Sequence, residues 1–430
     1  MNTLTTITEK DIEQRALDRH EPRWLRQERV NAWKQFQSLP DPDWRRTKIP
    51  KVDLEKTVIL KSDVSPEPAP LKIENKAPEN ASGKIVLVDG EILRISLKPE
   101  LALKGVLFSD MKTAVLERAD LLEKYKKNSS QDKFDLLHTS LWQNGYFLFI
   151  PKGVKIDEPF QVQIIQKSFN SILNKNIIIL DENSEAVVEE IFESENSDKD
   201  AITHFTSTDV YAEKNSGLKY YSVQNWAKNV YDVSSRILVA KKDARIKSLF
   251  SILGGSAGRT IIAGDALETG ASIEHNGITI GNEEQKFKIV ASMNHQAEHT
   301  EGLMHYQGIL KDRSYSYLDG LIRVLPQGKK TSSRLEEHTL ILGSKAKCDA
   351  LPALDIQTSD VQVSHSASVS KADDEKIFYA MSRGLSEEEA RNIIIEGFFE
   401  NLLQVIQDPQ WYEKLKGLIE AKLFISPSHE

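Results

Sequence analysis

Cysteine is almost absent: Cys348 is the only one in 430 residues. A single thiol excludes an internal disulfide, a zinc site of several cysteines and an iron–sulfur cluster held by this chain's cysteines alone. Long apolar runs are missing too. The longest, such as Ile177–Leu180, fall far short of the ~20 residues a membrane-spanning helix needs. The first 24 residues lack the apolar core of a signal peptide and are too acidic for a transit peptide, so the expected location is cytoplasmic. There is no excess of positive charge: 56 basic against 64 acidic residues give −8, which argues against nucleic acid as the main partner. A phosphate loop is lacking as well. In the stretch ending GKKTSS (328–333), Arg323 occupies the first glycine position and Lys330 intervenes before Thr331; GGSAGRT (254–260) lies in a β-rich run. No nucleotide is expected to bind this chain. Nor is there a protease-type zinc motif, because Gln296 stands where HExxH requires glutamate between His295 and His299.

What is present divides by periodicity. Residues 8–37 read as helix, with Leu25, Ala32, Trp33 and Phe36 on one face. LPDPDW (39–44) stops it, since proline lacks an amide donor and restricts the residue before it. A linker is expected over 60–82, then a strand at IVLVDG (85–90) and helices over Met111–Lys126 and Phe134–Trp142. From Tyr146 to Ile356, short β-rich runs alternate with small polar turns. A loose motif recurs there: an apolar anchor, three turn residues, then a small one. Its anchors Ile150, Leu180, Ala212, Ala240 and Leu267 are spaced 30, 32, 28 and 27 residues apart. It returns at Leu310 and Leu342, with a weaker copy at Leu325. Such recurrence favours a β-solenoid over a sandwich or barrel.

The C-terminal part is helical again. Asp373–Met381 predicts one helix, and Ser386 with Glu389 forms a capping box for the next. That helix carries Ala390, Ile394, Phe398 and Leu402 on one stripe and Ile395, Phe399, Leu403 and Ile406 on a second, ended by Asp408–Pro409. Two stripes exceed one packing face, which fits either burial in its own domain or contact with a partner. Trp411–Leu423 predicts a last amphipathic segment. The expected organisation is 1–82 N-terminal helical region and linker, 83–145 mixed α/β, 146–366 β-helix and 367–430 C-terminal helical domain.

Few side chains carry chemistry. His295, His299, His305, His338 and His365 cluster in the last third. An isolated histidine is ordinarily a hydrogen-bonded structural residue, and Cys348 reads as a small buried side chain unless its pKa is lowered.

The stretch from Ala346 to Phe398 closely resembles the SufB/SufD family. A PxLxI strand (Pro352, Leu354, Ile356) leads to DVxxSHxAS (Asp360, Val361, Ser364, His365, Ala367, Ser368). DxxxFYxxSRG (Asp374, Phe378, Tyr379, Ser382, Arg383, Gly384) follows, then a helix with Gly397 and Phe398. Upstream, GRTIIAGDALETGASIEHNG, HQAEHTEGLMHYQGILKD, YFLFIPKGVKIDEP and WLRQERVNAWKQFQSLPDPDWRRT also match, so the resemblance covers most of the chain. It implies a mainly β protein, a right-handed parallel β-helix flanked by N- and C-terminal helical domains. It implies a non-enzymatic scaffold for iron–sulfur cluster assembly that pairs with SufB and docks the SufC ATPase through its C-terminal helices, where Ala390, Ile394, Ile395, Phe398, Phe399 and Leu402 become candidate contacts. It implies a transient iron–sulfur cluster shared with SufB, with flavin in the complex and a homodimer of the isolated chain left open.

The match leans to the SufD branch: the histidine lies between Ser364 and Ser366 rather than two glutamates, and the position of the SufB sulfur-receiving cysteine falls near Glu337. His365 matches the SufD histidine implicated in cluster assembly and is the candidate metal ligand. Many relatives carry cysteine where this chain has Val363, so no thiolate stands beside it. His305, His338 and Cys348 are secondary candidates. Fold alone leaves two other readings, a polysaccharide-acting β-helix enzyme and a cluster-free structural homodimer.

Overall fold

The structure, a computed structural model, describes residues 2–3, 6–40, 50–52, 58–59, 72–73, 78–125, 132–168, 170–195, 201–371 and 374–424. Most of the expected linker and of LPDPDW lies outside them. The centre is a parallel β-solenoid of about eight turns, in which successive strands alternate between an 11-stranded and a 9-stranded sheet. Register partners on neighbouring turns lie 26 residues apart at Tyr231 and Ala257 and 32 apart at Ile172 and His204. The spacing of the sequence motif is therefore the length of a full turn.

The anchors resolve into two corners. Ile150, Leu180, Ala212, Ala240, Ala266, His295, Val324 and Ile356 stack as register partners at one corner. Leu267 and Leu325 are one residue past this column. Leu310 belongs to the opposite corner, in register with Gly281 and Ile341. The turn residues following the first column take left-handed backbone: Gly153, Asn183, Asn215, Asp243, Gly270, His299 and Lys330 all have φ between 55° and 77°. Glycine, asparagine and aspartate tolerate that region best, which explains the small polar turns in the sequence. The column is also stitched by backbone bonds from each turn to the next, as from the Asn183 amide to the Lys214 carbonyl at 3.0 Å and the Asn215 amide to Lys242 at 2.8 Å.

Three apolar layers result. Inward-facing side chains such as Phe160, Val162 and Ile164 alternate with outward ones and fill the lumen. Each fully buried aliphatic side chain contributes about 1.5–3 kcal/mol. The N-terminal helices cover the outer face of the 9-stranded sheet, where Trp33 and Leu25 join one cluster with Leu173, Ile179 and Phe205. The expected helix over 8–37 is broken into Glu9–Asp18 and Arg23–Ser38, because His20 turns left-handed (φ 57°) and Pro22 caps the second segment. The break lets Glu21 form a buried bidentate pair with Arg29, at 2.7 and 2.8 Å. The segment after residue 110 is likewise two helices, Met111–Glu117 and Ala119–Lys124.

The C-terminal helices cover the outer face of the 11-stranded sheet. Ser386 and Glu389 form the expected capping box of helix Glu387–Leu403. Asp408–Pro409 does not end that helix. Pro409 occupies the first position of the next, Pro409–Phe424, and the Asp408 carboxylate accepts from the amides of Gln410 and Trp411 at 2.7 and 3.3 Å. No helix among the described residues is long and apolar enough to cross a membrane.

Candidate functional site at the open end of the solenoid

The two ends of the solenoid are built differently. At the first, parallel stacking is closed by antiparallel strands: Gly83–Val88 pairs antiparallel with Glu91–Leu97, and Leu107–Asp110 with Tyr146–Ile150. At the second, the parallel strands Lys347–Ile356 and Val361–Lys371 are the outermost members of their sheets. Several of their apolar side chains stay in solvent: Leu351 is 44% exposed, Leu354 39% and Val369 47%. A bare edge of this length is a template for pairing with another chain.

His365 lies on this terminal strand, in register with Leu335 of the preceding turn. Val361 and Val363 of the same strand pack on the lumen core, so alternation puts His365 on the lumen side as well. It is exposed because no further turn covers it. One turn inward, in register with Ala367, is Glu337, 1% exposed and with neither carboxylate oxygen hydrogen-bonded among the described residues. Burial, helped by the nearby Asp319, pushes its carboxyl up to about 8.

Cys348 also faces the lumen; its thiol donates to Thr339 Oγ1 at 3.4 Å. Burial, with Asp349 and Glu337 adding, raises the thiol to about 11 against the lowering by Thr339, so it is no thiolate at neutral pH. Thr339 is in register with Val369, four residues along the strand from His365, roughly 13 Å at strand spacing. Cys348 and His365 therefore do not converge on one ion. A recess of about 580 Å³ opens beside Cys348, between Tyr317, Leu351, Ala367 and Val369.

The other histidines separate. His295 is fully buried, its Nδ1 2.8 Å from Thr300 Oγ1, and desolvation lowers it to about 4. His299 is a left-handed corner residue, so the HxxxH pair is split by a turn and shares no face. His305 and His338 lie on the outer face of the 11-stranded sheet, opposite His365.

The candidate docking helix faces inward. Ala390, Ile395, Phe399 and Leu402 are 0–6% exposed, and the last three pack with Ile191, Tyr221, Leu249, Ile278 and Ile309 of the sheet. The second apolar stripe is thus consumed within the chain, and only Ile394 and Phe398 are half-buried. Among the described residues of these helices, the large apolar side chains left exposed are Phe378, Tyr379, Met381 and Ile393, at 72, 61, 41 and 54%.

Sequence reasoning also missed a polar cluster sealed in the lumen. Glu190 is 0% exposed and accepts from the hydroxyls of Tyr220 at 2.6 Å, Ser222 at 2.9 Å and Tyr146 at 3.1 Å, while Arg236 approaches to 3.7 Å. The Arg236 guanidinium lies over the rings of Phe250 and Phe192, at 5.1 and 5.6 Å. The available signal was a charged residue at an inward position of an otherwise apolar alternation, Ala186–Val188–Glu190–Phe192.

The fold is thus a parallel β-solenoid that ends in antiparallel strands on one side and carries an exposed histidine at its open lumen on the other. Residues 163–398 match the family model "SUF system FeS cluster assembly, SufBD core domain", and residues 10–162 match "SufBD protein N-terminal region". The chain belongs to the SufBD family, and its role is in iron–sulfur cluster assembly. It is 28% identical to the iron-sulfur cluster assembly protein SufD of Bacillus subtilis, over 98% of this chain and 99% of that relative. It is 25% identical to SufB of the same organism and 26% identical to a SufBD family protein of Staphylococcus epidermidis, each over 92% of this chain and 88% of the relative.

Proposed function

We propose that this chain is the SufD-type half of a scaffold in which its open solenoid end pairs with a SufB-type chain and its C-terminal helices receive a SufC-type ATPase. The observation that carries the reading is the asymmetry of the two ends. One is closed by antiparallel strands, and the other leaves two long edge strands with exposed Leu351, Leu354 and Val369. A partner of like architecture would continue both sheets and cover His365. There its imidazole would ligate iron of a cluster that is cargo, assembled and passed on. Chemistry and ATP hydrolysis would belong to the partners, this chain supplying geometry and one nitrogen donor. Support for ATPase docking comes from Phe378, Tyr379, Met381 and Ile393, which replace the buried face of helix Glu387–Leu403 as the contact surface.

Co-expression with SufB and SufC homologues tests the reading. All three chains are expected to co-purify with iron and sulfide. His365→Ala should keep the complex and lose most of the cluster. Phe378→Ser with Ile393→Ser should release the ATPase alone. Absence of any complex overturns the assignment, and unchanged iron and sulfide in His365→Ala removes that residue from it.

A further inference from the structure

The outer face of the 11-stranded sheet carries a second constellation, distinct from the lumen-facing His365. Strands Glu301–Leu310 and Thr331–Ile341 are in parallel register, which sets Glu336 beside His305 and His338 beside Gln307. Strand alternation brings His305, Glu336 and His338 to the same face, and all three are half-buried. One imidazole nitrogen from each histidine and one Glu336 carboxylate oxygen lie within 4.8 Å of one another. The two rings meet edge to face, with centroids 5.9 Å apart and planes at 89°.

The geometry points to a binding site for one divalent first-row transition cation, of the zinc or ferrous-iron class, held by His305, Glu336 and His338. Two imidazoles and one carboxylate suit such ions rather than magnesium or calcium, which take all-oxygen shells. On a common ion the donor atoms stand roughly 3 to 3.5 Å apart, so the side chains close by about an ångström on binding. Support comes from the surroundings. His338 Nδ1 is 2.8 Å from Ser368 Oγ on the terminal strand, which fixes the ring and leaves Nε2 for the metal. Arg334 donates to Glu336 Oε1 at 3.2 Å, holding the carboxylate by one oxygen and leaving the other. Three protein donors leave open positions for water or an exchanging ligand.

This goes beyond the scaffold reading, and its test is independent of cluster loading. The untagged, demetallated full chain is titrated with Co²⁺, read by its visible d–d bands, then competed with Zn²⁺. The expected result is saturation near one equivalent and displacement by Zn²⁺. His338→Ala and Glu336→Gln should each weaken binding about tenfold or more, and Ser368→Ala about tenfold through ring orientation. His365→Ala should leave these bands in place. Glu336→Gln is isosteric and half-exposed, so its loss of binding with an unchanged metal-free melting temperature is a ligand effect. Lack of saturable bands, bands that survive both His338→Ala and Glu336→Gln, or bands lost with His365→Ala overturns the site.

Discussion

The closed and open ends of the solenoid are made of the same kind of turn, yet they end differently. At the first, the parallel stacks give way to antiparallel strands, and the N-terminal helices pack on the outer face of the 9-stranded sheet. At the second, the same alternation simply stops, leaving Leu354 and Val369 in solvent and His365 at the mouth of the lumen. Stacked repeats need polar caps to stay apart in solution. In the proposed function, the end without one is where the partner chain joins, so the difference between the ends is what a test of that reading must address.

Three variants break or sharpen this comparison. In the sealed lumen, Glu190→Ala leaves the Arg236 guanidinium buried without its counter-charge and is expected to cost about 3–5 kcal/mol, read as a large drop in the urea midpoint. Near the open end, Glu337→Gln acts through pH. The folded chain holds the Glu337 proton up to about 8, whereas an unfolded glutamate releases it near its ordinary value of 4.5. The folded state thus binds more protons between these values, and stability falls as pH rises through that window. The glutamine variant lacks this loss, so its unfolding free energy, read from urea titrations, should stay at a fixed offset from the parent's below pH 4.5 and gain on it increasingly towards pH 8, by about 1 kcal/mol or more. A flat difference across that range would show that Glu337 is not held protonated. On the edge itself, Leu354→Lys with Val369→Lys should change the stability of the isolated chain by less than about 0.5 kcal/mol, because both side chains are already exposed. The same pair should abolish co-purification with a SufB-type partner; retention of the partner would place the interface elsewhere.

The repeat was legible because a solenoid turn has a fixed length, and its left-handed corner residue must be glycine, asparagine, aspartate or another tolerant side chain. Asn183, Asn215 and Asp243 announced the fold before any pairing was known. The capping box at Ser386 was legible for the same local reason. Asp408–Pro409 was read as a stop but is a start, because proline fits the first turn of a helix as well as it ends one. The apolar stripes of 390–406 could not reveal what covers them: periodicity reports a buried face, not whether the cover is this chain or another. The sheet residues Ile191, Tyr221 and Ile309 supply that cover from more than 80 positions away.

By itself, then, the sequence determined the period of the solenoid, the helical ends and, through its resemblance, His365 as the residue to watch. These depend on local backbone preference and on short ordered motifs. Tertiary structure alone decided which side chains share a face across stacked turns. It placed Glu337 and Cys348 in the lumen, split His295 from His299 at a corner, and gathered His305, Glu336 and His338 on the outer wall. The reason is register: partners 26 to 32 residues apart become neighbours, and a one-residue shift would send each side chain to the opposite face.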